Sequence, residues 1–330
     1  MVFSQKIFIT AALILVSPTV TYAADDTRIP DEFEATSGLG VATLNSGVGG
    51  TDSFTAISVN PAALTAPKSY VVHGVYHWPT SGRDYYQLGV VDATMAPVAA
   101  GFSYNGFTEE YRGSATSADG ASSDLSPYDS PVSRRVSLAL AQEFDAISVG
   151  IGGTYVDAKP LPESLAFKQG EQRLTGVGLN MGLLGTLAPG WTVGVSAQNL
   201  ASKRVRDFAP RTFRIGTAYN FSQLFVANVD VRQRDRVAGF ESVTGTNAAS
   251  ITRGMDKAER MVIVSGAFQV QDYLKLLGSY GASLTDDRSS LAGGISLSSK
   301  NFSLAYTASR PYLKIPTAHQ AVTLNIEMAM

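Results

Sequence analysis

The 330-residue sequence contains no cysteine. That excludes a disulfide scaffold and a thiolate metal site, and leaves no residue for a lipoprotein anchor after an export signal. Charge is also scarce: Asp, Glu, Lys and Arg make up 16% of the chain, against about 25% in soluble domains. The formal net charge is −2, which provides no field for holding a polyanion, so nucleic acid is not an expected partner. No internal run approaches the roughly 18 apolar residues of a membrane-spanning helix. What is abundant is glycine, with 31 residues, within a chain that is 45% hydrophobic. That is too apolar for intrinsic disorder, and it points to an all-β chain built from short alternating segments.

The N-terminus reads as an export signal. Lys6 supplies a positive start, Ile7 to Val16 form an apolar run, and Thr21-Tyr22-Ala23 offers the small residues a signal peptidase reads. Cleavage is expected after Ala23, giving a signal peptide over residues 1–23. The run is too short to span a bilayer, and Pro18 with a polar segment follows it.

From Ser69 onward, apolar residues recur at every second position, as one face of a strand requires. In the last segment Val322, Leu324, Ile326 and Met328 share one face, while Thr323, Asn325 and Glu327 share the other. The spacing predicts fourteen strands, at 69–79, 84–94, 97–108, 133–144, 146–158, 173–187, 191–199, 211–220, 223–234, 259–270, 272–285, 290–299, 301–309 and 319–329. Their connections alternate between short turns and mostly longer loops, the rhythm of an outer-membrane barrel. Hydrocarbon cannot satisfy backbone N–H and C=O groups, so a membrane sheet has to close and pair its first and last strands.

A secreted β-sandwich or solenoid would alternate in the same way. Its polar faces would be rich in Lys and Glu, whereas here they carry Gly150, Gly152, Gly176, Gly178, Gly182, Gly216, Ser265 and Ser279, which suit a crowded lumen. Tyr76, Trp78, Tyr86, Tyr104, Trp191 and Tyr219 fall near strand ends, where interfacial girdles form. The expected fold is therefore a closed 14-stranded antiparallel transmembrane β-barrel over residues 69–330. Residues 24–68 hold no spanning strand but are rich in glycine and small apolar residues, which predicts an N-terminal hatch, or plug, inside the barrel.

Signals for chemistry are weak. His73 and His77 share an inward face, but four residues of strand separate them by about 13 Å, too far to hold one ion. His319 lacks the flanking signature of a hydrolase triad, and the acidic positions Asp119, Asp124 and Asp129 lack calcium-loop spacing. No enzyme activity, metal or cofactor is expected. The inward charges Arg135, Glu143, Arg214, Asp230, Arg232, Lys275 and Glu327 are of mixed sign. Structural pairing with each other or with the hatch accounts for them better than a selectivity filter.

The hatch residues carry a family resemblance. Gly38-Leu39-Gly40, Gly49-Gly50 and the stretch Ile57 to Leu64, with Asn60-Pro61-Ala62-Ala63-Leu64 at its end, resemble the hatch of the FadL family of outer-membrane transporters, whose motif has Gly where this chain has Ala63. The segments Val177 to Leu184, Val193 to Leu200 and Phe213 to Tyr219 are similar to the PorV/PorQ branch of that superfamily. The resemblance implies passive transport of hydrophobic small molecules, such as fatty acids, lipids or hydrocarbons, across the outer membrane of a Gram-negative-type cell. Outer-loop residues Tyr312, Leu313 and Ile315 would capture the ligand, and the Asn60-Pro61 corner would set how the hatch meets the wall. Outer-membrane lipids and the barrel assembly machinery are the further expected partners. That machinery commonly reads a terminal aromatic residue, and this chain ends Met328-Ala329-Met330. The PorV-like alternative is a barrel that binds secreted or envelope proteins. A structural barrel without a transported ligand is the third reading.

Overall fold

The computed structural model describes residues 38–50, 53–78, 82–94, 97–112, 134–158, 174–201, 210–235, 258–285, 289–310 and 318–328. The signal peptide, the loop with Asp119, Asp124 and Asp129, and Tyr312, Leu313 and Ile315 lie outside the described residues.

The strands are β1 (Tyr70–His77), β2 (Gly82–Asp92), β3 (Val98–Arg112), β4 (Arg134–Phe144), β5 (Ile147–Ala158), β6 (Leu174–Ala188), β7 (Trp191–Gln198), β8 (Thr212–Phe221), β9 (Phe225–Arg234), β10 (Glu259–Gln271), β11 (Leu274–Ser283), β12 (Ser289–Ser298), β13 (Phe302–Arg310) and β14 (His319–Met328). Each pairs antiparallel with its sequence neighbours, and β1 pairs with β14 from Tyr70↔Met328 to His77↔Ala321. That last ladder closes a barrel of fourteen strands, so no edge is left with unpaired backbone.

Side-chain alternation sets which face meets which medium. Leu88, Leu138, Leu140, Ile151, Met181, Ile215 and Leu304 point outward and are exposed, while Ser137, Thr154, Asn180, Ser196 and Thr323 alternate with them and are buried. A contiguous apolar belt of this size is incompatible with water and requires lipid around it. Tyr76, Tyr86 and Tyr155 stand outward toward the long-loop end of the belt, and Phe144, Trp191, Tyr219, Phe221 and Tyr273 toward the short-turn end. The glycines and serines expected to face a crowded lumen are inward and mostly buried.

Leu140 sits within the belt, opposite Ile151 on β5 and Ala100 on β3. Leu140→Arg is therefore expected to destabilise the barrel by about 2–4 kcal/mol, the cost of a midplane cation on a lipid face. Reversible denaturant unfolding in detergent or lipid would measure it.

Candidate functional site

The described part of the N-terminal segment, residues 38–50 and 53–69, lies inside the barrel. It holds α1 (Gly38–Ala42), α2 (Ser53–Val59) and a 3-10 helix (Pro61–Thr65). Leu44 and Asn45 both adopt left-handed backbone and end α1, and Gly47 at φ 101° lets the chain reverse again. Asn60 is extended and caps the 3-10 helix: its Oδ1 accepts from Ala62 N at 3.2 Å, with Pro61 in the first position, where its missing donor costs nothing.

Inward side chains of successive strands fasten this segment to the wall. Ser279 of β11 donates to the Ala42 carbonyl at 2.8 Å, and Arg214 of β8 donates to the Asn45 carbonyl at 2.7 Å. The hydroxyls of Ser46 and Ser265 of β10 bond at 2.5 Å. Asp230 of β9 accepts the N–H groups of Gly47 at 2.5 Å and Val48 at 3.0 Å. Thr192 of β7 donates to the Gly49 carbonyl, and Gln198 donates to those of Ser58 and Val59. Asn60 Nδ2 joins two parts of the segment to β6, donating to Val48 O at 2.7 Å and Leu183 O at 3.1 Å. Below it, Thr65 bonds Ser148 of β5 at 2.9 Å, and Lys68 pairs with Glu143 of β4.

Glycines on the wall make room for this contact. A Cβ at Gly150 would lie 2.8 Å from Ala62 Cα and closer to the Pro61–Ala62 peptide, and one at Gly182 would collide with the Asn60 amide. At Gly194 it would meet the Val48 carbonyl. Gly150 and Gly182 face each other across the β5–β6 ladder, so together they form one slot that admits the Asn60-Pro61 corner.

The side toward β1–β4 is different, because packing there is apolar. Phe54, Ile57, Ala63 and Leu64 form one buried cluster with Val71, Val91, Ala93, Ala99, Ala139 and Ala141 of the wall. Phe54 stacks on His73 at 3.8 Å between ring centres, and His73 bonds Asn325 of β14. Polar fastening on β5–β11 and greasy packing on β1–β4, where the Lys68–Glu143 pair is a polar exception, thus divide the lumen into two unlike halves.

The barrel superposes on solved structures over most of its length. The toluene transporter TbuX of Ralstonia pickettii superposes with a TM-score of 0.63 at 14% identity, covering 89% of this chain and 97% of that one. The Pseudomonas putida toluene transporter TodX gives 0.58 at 12% identity, over 93% and 99%. A Pseudomonas aeruginosa FadL homologue gives 0.58 at 11%, over 92% and 99%. The fold is of the FadL type. By sequence, no protein-family model and no curated protein matches the chain. The likeness is one of architecture.

Within this FadL-type barrel the predicted site residues fall in three places. Asn60, Pro61, Ala62, Ala63 and Leu64 are buried at the wall of β4–β6. Arg135, Arg214, Asp230 and Arg232 are deep inward groups, whereas Glu143, Lys275 and Glu327 stand on the inward face near the short-turn end. Asp230 binds backbone N–H groups of the inserted segment, so at least this charge serves a fastening role. Sequence reasoning missed Ser46, Thr192 and Gln198, which face the lumen by strand or turn position but carry no motif. It also missed the buried pair Arg234–Glu259, 2.6 Å apart and directly opposed across the β9–β10 ladder. Period-two parity places both on the inward face, and an opposite-charge pair there is the signal that identifies them.

Proposed function

We propose that this FadL-type barrel is a passive outer-membrane channel for hydrophobic small molecules, with residues 24–68 as its hatch and 69–330 as its wall. The neighbours named as toluene transporters support the substrate class, and the two unlike halves of the lumen supply a mechanism. Where hydrogen bonds hold the hatch, a passing molecule would strand buried donors and acceptors at about 1–3 kcal/mol each. Where Phe54, Ile57 and Leu64 pack against apolar side chains of the wall, a hydrophobic molecule replaces one apolar contact with another at little net cost. The route therefore runs along β1–β4, while β5–β11 keep the hatch in register and block water and ions. Capture at the long-loop end falls to Tyr312, Leu313 and Ile315, and Asn60 acts as the pin that sets hatch position.

The test is uptake of a hydrophobic tracer into liposomes carrying the purified barrel. Asn60→Ala removes three hydrogen bonds, to Val48, Leu183 and Ala62, and leaves every strand residue in place. It is expected to raise leak or uptake on the order of tenfold while the protein keeps its heat-modifiable mobility, a shift of about 1.4 kcal/mol, within the cost of the groups it strands. Unchanged transport in a correctly folded mutant removes Asn60 from this role. The extensive fastening of the hatch also favours a second reading, a closed barrel that holds secreted or envelope proteins as the PorV resemblance implies. Native mass spectrometry of gently extracted protein separates the two: a retained hydrophobic molecule supports transport, and a co-purifying protein with no such molecule supports the interaction barrel.

A further inference from the structure

Polar groups without partners gather on the inward face where β13, β14, β1 and β2 meet. The ladders set two neighbouring rows, Thr307–Ala321–His77–Tyr85 and, below it, Ala305–Thr323–Val75–Gln87. His77, Thr307 and Thr323 are 0% exposed and Gln87 is 1% exposed. Neither ring nitrogen of His77 has a hydrogen-bond partner, nor do Thr307 Oγ1, Thr323 Oγ1, Gln87 Oε1 or His319 Nδ1, one position up the same face of β14. Each such orphan costs about 1–3 kcal/mol, so a cluster of them calls for a partner from outside the chain. On β7, β8, β9 and β11 the inserted segment supplies backbone partners to Thr192, Gln198, Arg214, Asp230 and Ser279. Here it supplies Val41 of α1, whose side chain packs on Val75 and Ala321 and accepts nothing.

We infer that this patch binds the hydroxyl group of a hydrophobic alcohol or phenol, an inference that rests on the transport reading and narrows its substrate class. The chemistry matches on both counts. An imidazole and two threonine hydroxyls offer donors and acceptors together, which is what a hydroxyl needs. None of the eight side chains in the two rows carries a fixed charge, so a carboxylate finds no cation there. The hydrocarbon part meets Val41, Val75, Ala321 and the ring of Tyr85, which stacks on His77 with ring centres 4.0 Å apart and an interplanar angle of 13°.

The chain has three histidines, so protein labelled with carbon-13 at histidine Cε1 gives three resonances, assigned with His77→Phe and His319→Phe. Titration with p-cresol should move those of His77 and His319 saturably, and toluene, which lacks only the hydroxyl, should not. Thr323→Val, nearly isosteric, should weaken p-cresol binding about tenfold, the equivalent of about 1.4 kcal/mol and within the range of a hydrogen bond lost in a buried site. Identical responses to p-cresol and toluene would show that the patch does not recognise the hydroxyl, and no response to either would mean that only water occupies it; each result would overturn the inference. Toluene flux into liposomes reports separately on the transport reading: flux with a silent histidine pair defeats the hydroxyl site alone, and absence of flux defeats transport.

Discussion

Gly150→Leu should convert a closed barrel into a leaking one. Gly150 stands on β5 between Ala141 and Gly182 on its two neighbours. The atoms nearest to a Cβ there all belong to Pro61 and Ala62 of the inserted segment. The collision is therefore with backbone of the lumen segment, and the ladder is free to form as before. Overpacking of this kind costs about 1–3 kcal/mol. If that penalty falls on the docked state alone, it shifts the docked-to-undocked ratio by about 5- to 150-fold. Planar-bilayer recordings should show frequent water-filled openings in the variant and few in the parent. Gly153 on the same strand is the control, since a Cβ there meets nothing nearer than 4.0 Å; Gly153→Ala should behave as the parent does. Equal conductance in all three would show that close approach at Gly150 does not hold the segment in place.

Asp230→Ala should free the turn at Gly47 without opening the barrel wall. The carboxylate accepts two backbone N–H bonds, from Gly47 and Val48, and hydrogen bonds to a charged group contribute about 1.5–3 kcal/mol each. It also lies diagonal to the buried Arg214 across the β8–β9 ladder, two residues before Arg232 on its own strand. Its removal leaves the N–H groups of Gly47 and Val48 without this acceptor and takes away the carboxylate that attracts Arg214. Amide exchange at residues 46–50 should accelerate on the order of a hundredfold, corresponding to about 3 kcal/mol. Exchange in the centres of β5 and β6 should stay slow. Asp230→Asn should fall between the two, because an amide oxygen still accepts but carries no charge. Loss of protection throughout the barrel would instead assign Asp230 to wall stability rather than to fastening.

All fourteen strands were legible before any fold was known, and each differs from its expected span by four residues or fewer at either end. The largest difference shows the limit of that reading. β3 continues to Arg112 because its pairing with β2 resumes beyond a register shift, with Arg83 opposite Tyr111 and Tyr85 opposite Phe107. The alternation breaks at Thr108-Glu109-Glu110, so pattern alone stops at residue 108. A bulge is invisible to a period-two rule because it is defined by the partner strand. The Asn60-Pro61 corner was also singled out beforehand, and inward glycines were read as marks of a filled lumen. Which glycine meets which part of the segment was not legible at all.

Strand, face and parity are local properties. A residue's neighbours at two positions on either side decide them, and the need to satisfy every backbone group in hydrocarbon then forces the strands to close. The sequence therefore carries the barrel, its strand number and the identity of its lumen-facing residues in a form that can be read directly. The fastening of the lumen segment is of another kind. Asp230 reaches Gly47 across 183 residues and Ser279 reaches Ala42 across 237, and no periodicity links such pairs. They are chosen by the curvature of the closed wall and by where small side chains let backbone approach. The division of the lumen into a hydrogen-bonded half and an apolar half, on which any route for a ligand depends, exists only once the barrel has closed around the segment.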